Sequence, residues 1–212
     1  PGLEYNFQQD GHDCINLGIR SGSNLAVAKK VEGYLSRNPD VNVPKVFIFQ
    51  TEWSRDKKMI FEEDYENLQY ATDLQNIFIS RFYSRLSDIA QQYNTKVYLI
   101  GGCSDTLWLD NMEEYFPGVR ILCQSLVNFL IHDNHRIDEP VFDWYGSESA
   151  ELVKKMKTLL CDTESEKLLD MVDQGLERES LVFSHPEYFW PDGCHPNRHG
   201  IKKLYDFIKE KG

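Results

Sequence analysis

Near the C-terminus Asp192 stands three residues before His195, and Pro196 follows at once. An Asp-x-x-His pair can move protons. A carboxylate within reach of Nδ1–H fixes the imidazole tautomer and leaves Nε2 able to accept a proton. The same spacing is also that of a capped helix start carrying a surface histidine, so the pair alone does not decide. Ser104, in Gly102-Cys103-Ser104-Asp105-Thr106, is the best hydroxyl nucleophile within the chain. It follows a strand pattern, but Thr106 stands where a G-x-S-x-G elbow has glycine. Cys103 and Cys194 are thiols with nothing nearby in sequence to lower their pKa, and buried inert cysteine is the expectation.

A rival constellation is His132-Asp133-Asn134-His135 with Asp138. Two histidines with acids between them could ligate a metal, as in metal-dependent phosphohydrolases. Charged residues ending the apolar run Leu126–Ile131 equally describe a solvated helix end. Glu52 and Arg55 sit together on a central loop, where they either contact substrate or pair with each other.

These residues need elements to position them. Leu3 to Asp10 reads as the tail of a helix ended by Gly11, and Cys14–Leu17 as a short buried strand. The loop Gly18–Asn24 leads into a helix from about Leu25 to Ser36, with Val27, Val31 and Leu35 inward. Asn24 can cap that helix or offer its amide to a substrate. Lys45–Gln50 is a strand with four consecutive apolar residues, the mark of burial on both faces. A helix from roughly Tyr65 to Tyr93 follows, with Leu74, Ile77, Phe78, Phe82, Leu86 and Ile89 on one stripe. Lys96–Ile100 is the next strand, closed by Gly101-Gly102, then come a helical segment around Trp108–Tyr115 and a strand at Arg120–Cys123. Pro196 suits a first helical position, and Leu204, Tyr205 and Ile208 recur at helical spacing after it.

Strand, helix, strand, helix in alternation predicts an α/β domain with a parallel sheet. Ligands of such sheets bind beyond the carboxyl ends of the strands. The loops Ser21–Asn24, Thr51–Arg55 and Gly101–Thr106 all fall there. From about 146 to 180 the chain is charge-rich and helical, either plain structure or an insertion acting as a lid or partner surface.

Asp192-Gly193-Cys194-His195-Pro196, with Gly200 and an amphipathic last helix, resembles the final block of the SGNH (GDSL-type) hydrolases. Their D-x-x-H-P ending carries the acid and base of a Ser-His-Asp triad. Cys14-Ile15-Asn16-Leu17-Gly18 followed by Arg20-Ser21-Gly22-Ser23-Asn24 resembles the family's second block, in which a loop glycine serves the oxyanion hole. The resemblance implies a three-layer α/β/α sandwich with a parallel central sheet, SGNH- or flavodoxin-like. It implies hydrolysis or transfer of an ester-linked acyl group, with His195 as base, Asp192 as its orienting acid and Gly22 as an oxyanion donor. The nucleophile block would precede Pro1. The family's Gly-x-Asn-Asp block is replaced by Gln50-Thr51-Glu52-Trp53-Ser54-Arg55, so Thr51 or Glu52 takes the place of the oxyanion asparagine. That departure keeps open an inactive binding or assembly module on the same fold, beside the phosphohydrolase reading through His132, Asp133 and His135.

At 212 residues, with 41% hydrophobic and 27% charged residues, the chain is sized for one globular domain spanning 1–212. A formal net charge of −11 argues against a nucleic-acid partner held by phosphate neutralisation. No apolar run approaches the ~18 residues that span a bilayer, and no charged-then-apolar leader opens the chain. Five cysteines without a Cys-x-x-Cys pair favour reduced thiols in a cytoplasmic setting. Neither a metal nor an organic cofactor is implied, and the expected partner is a small-molecule or glycan ester.

Overall fold

The computed structural model describes residues 2–18, 22–51, 68–102, 106, 111–133, 135, 185–191 and 195–211, with the backbone alone over 68–78. Among them are three strands, β1 (Lys45–Gln50), β2 (Lys96–Gly101) and β3 (Val119–Cys123). Six helices accompany them: α1 (Leu3–Gln9), α2 (Asn24–Arg37), α3 (Leu68–Gln92), α4 (Met112–Tyr115), α5 (Leu126–His132) and α6 (Arg198–Lys211). The protein is mixed α/β. The predicted insertion at 146–180 lies outside the described residues.

The strands form one parallel sheet in the order β1-β2-β3. Parallel neighbours cannot be joined by a tight turn and need a crossover. Between β1 and β2 that crossover contains the 25-residue α3, between β2 and β3 the short α4. Register runs from Lys45 opposite Lys96 to Gln50 opposite Gly101, and slips by one at Leu99/Ile100 against β3. β2 is central and buried on both faces after Lys96, while β1 is only partly covered. Full burial was expected of β1; among the described strands it is an edge strand, with β2 as its neighbour.

Alternate residues of a strand face opposite sides, and the core divides accordingly. Val97 and Leu99 join Ile48 and Val119 in a cluster with Ala28, Val31 and Leu35 of α2 and Phe82, Leu86 and Ile89 of α3. Tyr98 and Ile100 join a second cluster with Leu126, Phe129 and Leu130 of α5 and Leu204 and Ile208 of α6. Each face of the sheet thus has its own apolar core. None of the helices among the described residues is long and apolar enough to cross a membrane.

Gly11 ends α1 as the sequence suggests. It adopts φ +82°, its N–H bonds Gln8 O at 3.0 Å and the His12 N–H bonds Phe7 O at 3.0 Å, a Schellman cap. Asp10, beside it, accepts from Tyr205 Oη at 2.6 Å and from Lys209 Nζ, tying α1 to α6. The Lys209 ammonium, then the Tyr205 hydroxyl, hold the Asp10 carboxyl below the ordinary carboxylate range. Phe7 reinforces the same contact, edge-on to Tyr205 with centroids 4.9 Å apart and stacked on Phe47 at 5.6 Å.

Two expectations are corrected. Cys14–Leu17 is not a strand: the segment has no regular structure, Ile15 is 54% exposed, and Asn16 Oδ1 instead accepts the Gly18 N–H at 2.8 Å. Local Asx bonding has replaced ladder pairing there. Pro196 is not the first helical residue either. α6 begins at Arg198, and Pro196 pairs with Phe189 in an isolated antiparallel bridge.

Candidate functional site

The carboxyl ends of the three strands lie side by side, because the strands are parallel and in close register. The loops that leave them are stitched together there. Ser23, with extended φ and ψ, caps α2 by accepting the Ala26 N–H at 3.3 Å. Asn24, the expected cap, does something else. Its Nδ2 donates to Thr51 O at 2.9 Å and its Oδ1 accepts the Thr51 N–H at 2.8 Å. The buried Asn24 amide mimics a peptide group and pins the glycine loop to the first residue beyond β1.

The other strand ends are held by the same means. Gly102 N–H reaches across to Gln50 O at 3.2 Å, and Tyr83 Oη donates to Gln50 Oε1 at 3.2 Å in the buried interior. Buried Thr106 directs its N–H (2.9 Å) and its hydroxyl (3.4 Å) to Gln124 O, while the Gln124 N–H reaches His135 O at 2.7 Å. The described parts of all three predicted loops (Gly22–Asn24, Thr51, and Gly101, Gly102 and Thr106) therefore converge on the carboxyl ends of the sheet.

His195 belongs to a separate frame. The Trp190 N–H bonds His195 O at 2.9 Å and the Asn197 N–H bonds Tyr188 O at 2.7 Å, the two bonds flanking the Phe189–Pro196 bridge. Asn197 organises this frame. Its Oδ1 accepts from the N–H groups of His199 (2.8 Å) and Gly200 (3.2 Å), capping α6. Its Nδ2 donates to Pro186 O at 2.9 Å and Phe189 O at 3.4 Å, clasping the incoming loop. Gly200 lets the loop lie against the helix: a Cβ there would meet Tyr188 O at 2.5 Å. The imidazole of His195 is exposed.

No family model matches the chain, and comparison with curated proteins and with solved structures finds no significant match.

The remaining candidates fall as follows. Asp192, Cys194, Glu52, Arg55, Ser104 and Cys103 lie outside the described residues. Gly22 is half-buried, directly before the Ser23 cap. His132, Asp133 and His135 are exposed at the end of α5, where Asp133 pairs with Lys203 Nζ at 2.8 Å. Lys203 also donates to Leu130 O at 2.8 Å, an ammonium at a helix C-terminus. Among the described residues no three His, Cys, Asp or Glu side chains gather as a metal site. Burial, then the charge of Glu4, pushes the Cys14 thiol up, the opposite of what a thiolate nucleophile requires. Asn197 was not anticipated, although an asparagine just before a helical pattern is a cap signal. The Asn24–Thr51 pair left no local signal, since 27 residues separate its members.

Proposed function

We propose that this chain forms a three-layer α/β/α hydrolase domain of SGNH type that cleaves or transfers an ester-linked acyl group, such as an O-acetyl on a glycan or small molecule. The observation that carries the reading is the pinned pair Trp190 and His195. It fixes the backbone of His195, and Asp192 stands three residues earlier in the sequence. The two apolar clusters on opposite faces of the sheet support the layered arrangement. The docking of the glycine loop onto Thr51 supports a site at the carboxyl ends of the strands.

In this mechanism His195 Nε2 takes the proton of a serine hydroxyl as its oxygen bonds the ester carbon. Asp192 orients and steadies the imidazolium. The oxyanion is met by the Gly22 N–H, at the positive end of the 14-residue α2. Collapse breaks the carbon–oxygen bond to the alcohol, which leaves with the proton from His195, and water then repeats the sequence to release the acid. The serine would come from a block preceding Pro1, with Ser104 the alternative within this chain. Neither a metal nor an organic cofactor takes part.

The test is a chromogenic short-chain ester assay on the full-length protein beside His195→Ala, with fluorophosphonate labelling and mass spectrometry to locate the serine. The variant is expected to lose activity by about 10²-fold or more. Equal rates in both proteins would leave the second reading, a binding or assembly module. The engagement of Thr51 by Asn24, where the family has an oxyanion asparagine, favours that alternative. The Asp133–Lys203 ion pair weighs against the metal-dependent phosphohydrolase.

A further inference from the structure

Trp190 is 51% exposed, while Phe189 beside it is 3% exposed. A single exposed aromatic residue says little by itself. Its position says more. In the antiparallel pairing centred on Phe189 and Pro196, the directly opposed residues one step further on are Trp190 and His195, joined by the 2.9 Å bond from Trp190 N–H to His195 O. Directly opposed residues of such a pair project to the same face, with Cβ atoms roughly 5 Å apart. Neighbouring residues project to the other face, which here is where Phe189 enters the core with Ile100 and Leu204. By this pairing Trp190 and His195 project from opposed positions to the same face of the bridge, the one away from the core.

That adjacency has a chemical consequence, which rests on the hydrolase reading above. The imidazole that deprotonates the serine also protonates the departing alcohol, so whatever flanks it touches the alcohol side of the scissile bond. The acyl side faces the nucleophile and the oxyanion donors. We propose that Trp190 is a specificity residue for the leaving group, selecting esters whose alcohol carries a ring with an apolar face, aromatic or sugar. The flat indole offers area at little conformational cost, and the ring of the alcohol stacks on it while the alcohol oxygen reaches His195 Nε2.

The test compares benzyl acetate with ethyl acetate, whose alcohols are of similar acidity, using full-length wild-type protein, Trp190→Ala and Trp190→Phe. The benzyl-to-ethyl ratio of kcat/KM is expected to fall about five- to tenfold in Trp190→Ala and to be largely retained in Trp190→Phe. The ethyl butyrate-to-ethyl acetate ratio, which reads the acyl side, is expected to be the same in all three. A parallel fall with 6-O-acetyl methyl glucoside assigns the sugar ring, whereas a fall confined to the benzyl ester assigns aromatic alcohols. If circular dichroism shows that Trp190→Ala does not fold, Trp190→Leu supplies the same ratio. A benzyl-to-ethyl ratio indifferent to the substitution, or a change in the acyl ratio instead, overturns the proposal and leaves the hydrolase reading standing. Wild-type protein inactive on every ester overturns both.

Discussion

Asn24 and Thr51, 27 residues apart, exchange a pair of hydrogen bonds in which one side chain satisfies both backbone groups of the other residue. The pair joins the residue after β1 to the first residue of α2, directly behind the Ser23 cap.

Asn24→Ala should therefore cost about 2–4 kcal/mol, because both the N–H and the C=O of Thr51 lose this partner in a part-buried setting. Urea denaturation reads the loss, and faster exchange of the Thr51 amide would locate it. Asn24→Asp keeps the acceptor but sets a carboxylate against Thr51 O, and should be no more stable than the alanine variant.

Gly200→Ala should destabilise despite alanine's higher helix propensity. That propensity is worth about 1 kcal/mol in a helix interior. Against it, the new Cβ would stand 2.5 Å from a backbone oxygen of Tyr188 and 3.1 Å from Pro196 Cβ. Displacing a bonded loop is the larger effect, and a net loss of about 1–3 kcal/mol is expected. A rise in melting temperature would show that the loop yields.

Asn197→Ala removes the α6 cap and the clasp on the 185–191 segment together. Capping alone is worth about 1 kcal/mol. The additional bonds to Pro186 and Phe189 make limited proteolysis near His185–Pro191 the more specific readout, and cleavage there should accelerate. Asn197→Asp retains the acceptor for His199 and Gly200 but not the clasp. It should recover helix stability while leaving the loop sensitive.

The Asp10 site predicts an acid limb. Its carboxyl is held below the ordinary range by Lys209 and then Tyr205, so the folded protein binds that proton less readily than the unfolded chain does. The stabilisation is present above the unfolded carboxylate range and is lost as pH falls through the lowered folded value. Carboxyl NMR should place the Asp10 transition below those of carboxylates without such partners. Asp10→Asn should flatten the pH dependence of stability on the acid side of the ordinary carboxylate range.

Much of the scaffold was legible from one sequence. Lys45–Gln50 and Lys96–Ile100 were read as strands to within a residue because their apolar runs are short, β-branched and bounded by turn residues. The end of α1 was legible because Gly11 is the residue type that a left-handed cap demands. The inward face of α3 followed from Phe82, Leu86 and Ile89. Cys14–Leu17 misled because its residue types suit a strand, but none of the described strands pairs with it. Pro196 misled because the missing N–H that suits a helix start equally suits a bridge position from which no N–H bond is donated.

The sequence by itself determined the parallel α/β layout, its loops at one edge of the sheet, and an imidazole three residues from a carboxylate. Those are consequences of local periodicity and of turn chemistry, which act over a few residues. Tertiary structure alone decided that Asn24 holds Thr51 rather than a helix end, that the last helix begins at Arg198 under an Asn197 cap rather than at Pro196, and that Trp190 pairs with the backbone of His195. Each of these depends on which distant backbone groups remain to be satisfied once the core has closed, and no local pattern records that.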